Sequence, residues 1–299
     1  MSDDNRQMLD ELLRYHSGVR GSARITILGL QALIRAFEDV RATPREMGGL
    51  LAEVLAAVRS SRPKLIALID LLAMFEEEFR PHLDDTDMVV AKEAAIRLLQ
   101  EKIELYQSKA AAVTRHGLEH ISSWNTILVH SASSVVTNIL IEATRTLDLT
   151  FRVLVLQLDP VRTPQVARTL EEERIPHLIV PMHDLCHYQK DVDKLFLGAL
   201  TITPDRKVVA PVGTAAVVSI CHLAGIRSYL FANSLHYSKG VASTQQILKQ
   251  REEVEEAASS YQVTRHSHDL VDLALIDVIV NEYGVVTLDE VSRRDATIS

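Results

Sequence analysis

The apolar periodicity of this chain changes near residue 125, and that change limits what it can fold into. Up to about residue 120 the apolar side chains recur at three and four: Ile25, Leu28, Leu30, Leu33, Ile34 and Phe37, then Leu50, Leu51, Val54, Leu55 and Val58. This spacing lays one apolar stripe along an α-helix. It predicts further helices over residues 64–78 and 89–118, with breaks at 42–44, 61–63 and 81–87, where proline and polar residues gather. From residue 126 onward the pattern is one of short apolar runs rich in β-formers, at 126–130, 151–156, 177–180, 194–197 and 227–231. Helical segments separate most of them, including 134–145 and 214–223. Such alternation is how a parallel sheet covered by helices on both faces is written. The expected class is therefore α/β: a bundle of four or five helices over residues 1–120, then a doubly wound parallel sheet over residues 121–299. Residues 245–258 read as a charged, solvated helix or loop, 270–282 as a last helix and 284–287 as an edge strand.

Composition narrows the function classes. Hydrophobic residues make up 47% of the 299 and charged residues 24%, enough apolar matter for a large buried core. A net charge of −8 argues against direct DNA binding. The two cysteines, Cys186 and Cys221, do not make a disulfide framework and suit a reducing compartment. The first residues lack the basic-then-apolar order of a secretion signal, and no apolar run reaches membrane-spanning length. The expectation is a cytoplasmic protein with no membrane partner.

Candidate chemistry gathers at predicted strand ends. In doubly wound sheets ligands bind beyond the carboxyl ends of the strands, where helix starts present N–H groups. Ser131, Ser133 and Ser134 stand between the first strand and its helix, and Gly213-Thr214 opens another helix. Each group either helps hold a phosphate or simply caps a helix. Arg20 and Gly21 precede the first long helix; there an Arg fork either meets an anion or belongs to a plain loop. On this reading Arg20, Ser131, Ser133, Ser134 and Thr214 line one crevice. His130 ends an apolar strand and reads as a core or rim histidine. His183, Cys186 and His187 are clustered and His266 and His268 lie two apart, but neither set has zinc-ligand spacing. No GxGxxG, P-loop or GxSxG pattern occurs, nothing assigns Asp159 or His236 to a catalytic serine, and nothing calls for a cofactor or metal.

Several ordered elements of residues 120–290 resemble one family. A strand ends in Thr126-Ile127-Leu128-Val129-His130 followed by serines. Then come Arg174-Ile175-Pro176, Val192-Asp193 with Leu197-Gly198-Ala199, Val212-Gly213-Thr214, and a closing Asn281-Glu282-Tyr283-Gly284-Val285. Together they resemble the family of the alpha, beta and delta subunits of eukaryotic translation initiation factor 2B and the related methylthioribose-1-phosphate and ribose-1,5-bisphosphate isomerases. Arg20-Gly21 is similar to the phosphate-side Arg-Gly of the isomerases. The resemblance implies an N-terminal helical domain and a Rossmann-like C-terminal domain. It also implies pairing through the latter, as a homodimer or with related subunits. A sugar phosphate or nucleoside monophosphate is an implied ligand, and initiation factor 2 an implied partner in a eukaryote.

The departures from the family pattern bear on activity. The isomerases carry a Cys after the strand-ending His and an Asp after Gly-Ala; here those places hold Ser131 and Leu200. Moving a proton between neighbouring carbons needs an ionisable group, and leucine has none. The Asn-Lys pair that precedes Gly-Thr in the family is Ala210-Pro211. The expectation is a non-catalytic regulatory or scaffold subunit. The alternative is an isomerase of phosphorylated sugars with an altered active site.

Overall fold

A computed structural model describes residues 22–39, 43–60, 64–84, 87–130, 133–157, 162–245, 247, 249–256, 259–287 and 290. Among the described residues the first elements are four helices: α1 (Ser22–Asp39), α2 (Pro44–Ser60), α3 (Ile66–Phe79) and α4 (Met88–Leu118). Their starts follow from local chemistry. Thr43 and Glu46 form a reciprocal capping box on α2, Thr43 N donating to Glu46 Oε2 at 2.7 Å and Glu46 N to Thr43 Oγ1 at 3.4 Å. Asp87 caps α4 by accepting from Val89 N at 2.8 Å. Pro81, which has no N–H to donate, lies in the 3-10 turn Arg80–Asp84 that ends α3. The stripes seen in the sequence meet in one core. Phe37, Phe75 and Phe79 are buried together, with ring centroids 5.4–6.1 Å apart.

The second half is a seven-stranded sheet in the order β12-β11-β7-β4-β1-β2-β3. Its strands are β1 (Thr126–Val129), β2 (Arg152–Gln157), β3 (His177–Pro181), β4 (Lys194–Gly198), β7 (Arg227–Phe231), β11 (Val278–Asn281) and β12 (Gly284–Val286). All neighbours pair in parallel except β11 with β12. Alternation along each strand divides the core in two. Leu128, Leu154, Leu195, Leu197, Leu230 and Ile279 face the side covered by α8 (Thr214–Leu223). Ile127, Val129, Val153, Phe196, Tyr229 and Val280 face α5 (Ser134–Leu147), α6 (Arg162–Glu172) and the end of α4, where Val113 joins them. Burial on both faces explains why these strands read as unbroken apolar runs.

α4 belongs to both halves. Tyr106 packs in the helical core and Val113 in the sheet's core. In return Leu235, just beyond β7, inserts among the helices. The chain leaves the sheet after β4 for a small antiparallel one, β10-β6-β5, built from β5 (Thr201–Ile202), β6 (Lys207–Ala210) and β10 (Asp269–Asp272).

Two expectations are corrected. Within residues 245–258, expected as a helix or loop, Lys249–Glu256 is a strand, β8, that pairs antiparallel with β9 (Ser259–His266). The Glu-rich strand carries no alternating pattern, so only its partner, with Tyr261, Val263 and Thr264, signals β-structure. Residues 270–282 are not a helix either, but β10, the 3-10 turn Leu273–Leu275 and β11. Three carboxylates divide the segment. Asp269 leaves it to bind another element, Asp272 accepts from Ala274 N at 3.0 Å, and Asp277 accepts from Ser228 N at 2.7 Å. The β-branched run Val278-Ile279-Val280 then gains a fully buried place beside β7.

Candidate functional site at the carboxyl edge of the sheet

From β1 the chain winds outward to β2 and β3 on one side, and from β4 to β7 and β11 on the other. The carboxyl ends of β1 and β4 therefore flank the switch point of the sheet, where adjacent connections part and leave a crevice. Their register fixes what meets there. Val129 pairs with Phe196, so Gly198 stands two residues beyond that pair, at the carboxyl end of β4. Ser133, the residue before α5, lays its Oγ against Gly198; a β-carbon at Gly198 would collide with it. The Ser133 side chain makes no capping bond to α5, although its position and extended backbone are those of an N-cap. Ser134 begins the helix and is half-buried. The first-turn N–H groups of a helix have no intrahelical acceptors, so this start offers donors at the carboxyl edge of the sheet.

His130 is buried and crosses from β1 towards the α8 start. Its Nε2 lies 3.3 Å from the Val212 carbonyl, a contact that places the proton on Nε2. Gly213 has φ +95°, and a β-carbon there would come within 3.0 Å of His130 Cε1 and 3.3 Å of Met182 Sδ. Glycine is thus required twice, for the left-handed backbone and for the close approach.

The α8 start differs from the α5 start. One oxygen of Asp269, Oδ2, accepts from Gly213 N at 2.9 Å and from Ala215 N at 3.0 Å. Thr214 donates both its N–H, at 3.1 Å, and its hydroxyl, at 2.6 Å, to the Pro211 carbonyl. The register Asp269↔Ala210 between β10 and β6 brings this carboxylate to the helix start. Sequence reasoning missed Asp269 because its partner segment lies more than fifty residues away and no local spacing links them.

Of the residues expected to line the crevice, Ser133, Ser134, Gly213 and Thr214 are at this edge, while Arg20, Gly21 and Ser131 lie outside the described residues. Leu200 follows Gly198 and Ala199 at the rim. It is half-buried, and its N–H donates to Val209 O at 2.9 Å. Neither thiol stands in for the isomerases' cysteine: Cys221 is buried in α8, where burial pushes its thiol up to about 12, and Cys186 is exposed on the short α7 (Leu185–Tyr188). His183 and His187 are exposed beside Cys186. His268 is buried while His266 is exposed. Among the described residues no three His, Cys, Asp or Glu side chains are placed to hold a metal.

At the same edge, on the β7 and β11 side, lies a polar cluster that the sequence did not reveal. Lys109 of α4 donates to Glu282 Oε1 at 2.7 Å and to Ser234 Oγ at 3.0 Å, and Ser234 N donates to Glu282 Oε2 at 2.8 Å. Burial works to raise the Glu282 pKa, but the bonds from Lys109 and Ser234 outweigh it and hold the group below the usual carboxylate range. His236 is buried with Nδ1 2.9 Å from Asn233 Oδ1, and burial lowers its pKa to about 4.

A family model for the "Initiation factor 2 subunit family" matches residues 18–288. The chain belongs to that family. Within it, the chain is 22% identical to translation initiation factor eIF2B subunit delta of Dictyostelium discoideum over 90% of its own length. It spans about half of that relative, 47%. It is 25% identical to a putative eIF-2B subunit 2-like protein of Pyrococcus furiosus, covering 90% of this chain and 91% of that one. Ribose 1,5-bisphosphate isomerase of the same organism is 22% identical, with 90% and 86% covered. Among solved structures, Pyrococcus horikoshii OT3 translation initiation factor eIF-2B superposes with TM-score 0.77 at 18% identity, covering 93% of this chain and 94% of that one. The 5-methylthioribose 1-phosphate isomerase of the same organism superposes with TM-score 0.75 at 15% identity, covering 97% and 86%. These superpositions speak for the fold, which subunits and isomerases of the family share. Among the described residues no helix is long and apolar enough to cross a membrane.

Proposed function

We propose that this family member is a non-catalytic regulatory or scaffold subunit of the initiation factor 2B type, whose crevice between β1 and β4 takes a sugar phosphate or nucleoside monophosphate. The observation that carries the non-catalytic part is Leu200. Where the isomerases resembled by this chain have an acid, the rim holds a half-buried aliphatic side chain, which can neither donate nor accept a proton. The ligand part rests on the start of α5, where Ser133 leaves its side chain uncommitted as a cap and the helix dipole favours an anion. In this reading Ser131, Ser133 and Ser134, with Arg20 and Gly21, hold the phosphate, and Gly213 and Thr214 form the opposite wall.

The assembly follows from the same kinship. A tetrameric eIF2B-beta2-delta2 complex from C. thermophilum shares the fold, with TM-score 0.70 at 12% identity. This chain would pair through its C-terminal half with a second copy or a related subunit, in the cytoplasm, and would meet initiation factor 2 if its host is a eukaryote.

The alternative is an isomerase of ribose-1,5-bisphosphate or methylthioribose-1-phosphate type. It draws on the isomerase among the relatives and on His130, a titratable side chain packed against the crevice wall. Incubating the purified protein with both sugar phosphates and following ketose by NMR decides between the two. Absence of product at high protein concentration fits the regulatory subunit; steady turnover replaces it with the isomerase.

A further inference from the structure

The two helix starts that flank the crevice are not equivalent. At α5 the residue in the cap position turns its hydroxyl towards Gly198 instead of capping the helix. At α8 the chain supplies its own anion: Asp269 Oδ2 accepts from Gly213 N and Ala215 N, and the N–H between them is taken by Pro211 O. The Thr214 hydroxyl is taken by the same carbonyl. Three successive donors at this helix start, the N–H groups of Gly213, Thr214 and Ala215, are therefore already in use, and a carboxylate stands at the place a phosphate would occupy.

We infer that Asp269 is a specificity-determining residue of this crevice. It closes the α8 side to anions and so orients any ligand with its phosphate towards α5 and an uncharged end, sugar hydroxyls or a base, towards Gly213-Thr214. The inference refines the proposed ligand crevice and rests on it for the orientation. The closure of the α8 start rests on the Asp269 geometry alone.

The register between β10 and β6 brings Asp269 to the α8 start. β10 pairs with β6 from Asp269↔Ala210 to Asp272↔Lys207, and Lys207 Nζ closes the far end on Asp272 Oδ2 at 2.6 Å. Pro211 and Gly213 follow β6 directly. Both the Asp269 backbone and the segment whose N–H groups its carboxylate binds are thus placed by one short antiparallel ladder.

The test follows backbone amide signals of the isotopically labelled full chain during titration with inorganic phosphate, then with AMP and ribose 5-phosphate. In the unmodified protein the amides of Val135 and Val136 should shift on addition of each probe, and those of Gly213 and Ala215 should stay in place with inorganic phosphate. In Asp269→Ser the Gly213 and Ala215 signals should begin to shift with phosphate, with apparent affinity at that position raised by about tenfold or more, since a charge at a helix start is replaced by a neutral cap. Asp269→Asn keeps an acceptor while removing the charge, and should lie between the two; circular dichroism establishes that each variant is folded. Movement of the Gly213 and Ala215 signals with inorganic phosphate in the unmodified protein would overturn the inference, as would their indifference to phosphate in a folded Asp269→Ser. If Asp269→Ser does not fold, the unmodified protein and Asp269→Asn decide by the same signals. Silence of Val135 and Val136 throughout would instead remove the proposed ligand site at α5 and leave the closure of α8 to be judged on Gly213 and Ala215.

Discussion

Lys109 of α4 reaches Glu282, the residue after β11, at 2.7 Å, and this pair ties the helical half of the molecule to the carboxyl edge of the sheet. The Glu282 side chain is 6% exposed and that of Lys109 20%. Ser234 joins both, so three segments distant in sequence share one polar contact. Removing one partner leaves the other charge buried without its counter-ion, which costs more than the pair contributes.

Lys109→Met and Glu282→Gln should each lower stability by roughly 2–4 kcal/mol, short of a fully buried pair because Lys109 keeps some contact with water. The double variant should be less destabilised than the sum of the two. Urea unfolding of all four proteins as a double-mutant cycle measures the coupling; strict additivity would show that the pair does not act as a unit.

His236 predicts an acid-side loss of stability. Its folded pKa, about 4, lies below the ordinary value of 6.5, so between these pH values the unfolded chain binds a proton that the folded one refuses. Stability should therefore fall as pH drops from 6.5 towards 4, by up to roughly 3 kcal/mol from this residue. His120, whose pKa burial also lowers, adds in the same direction. Glu282, held below its ordinary 4.5, loses its contribution only at lower pH still. Thermal unfolding midpoints between pH 7 and pH 4.5 should show a shallower slope in His236→Gln than in the unmodified protein.

Gly198→Ala places a methyl group where Ser133 Oγ now lies. The variant should lose about 1–3 kcal/mol and should change the start of α5 before it changes the sheet. Hydrogen exchange provides the reading: faster exchange at Val135 and Val136 with β4 still protected is the expected pattern. Gly198→Ala combined with Ser133→Gly should recover most of the loss, because the colliding atom is gone.

The two thiols should separate cleanly. Cys186 is exposed, while Cys221 is buried with its pKa pushed up to about 12. A chromogenic disulfide reagent at pH 8 should titrate one thiol rapidly and the second only on unfolding. Cys186→Ser should abolish the fast phase.

Much of the architecture was legible because its signal is local. The stripe of Leu51, Leu55 and Val58 and the apolar run of β1 each carry their own periodicity, and each became the element it indicated. Segments whose conformation depends on a distant partner were misread. β8 is Glu-rich and is a strand only because β9 pairs with it; β10 and β11 were merged into one helix because Asp277, which precedes β11, binds Ser228 of β7 far away in sequence. The candidate site divided in the same way. Ser133, Ser134, Gly213 and Thr214 were visible as punctuation at strand ends, and Leu200 as a departure from the family pattern. Asp269, and the network of Lys109, Ser234 and Glu282, were not.

The sequence by itself determined the family, the succession of a helical half and a parallel sheet, and an aliphatic side chain at Leu200. Each is carried by residue identity or by neighbours a few positions apart. Only the tertiary structure decided which helix start at the crevice keeps its donors and which has spent them on Asp269. That choice depends on the pairing of β10 with β6, strands nearly sixty residues apart, and a carboxylate supplied across such a distance leaves no trace in local spacing.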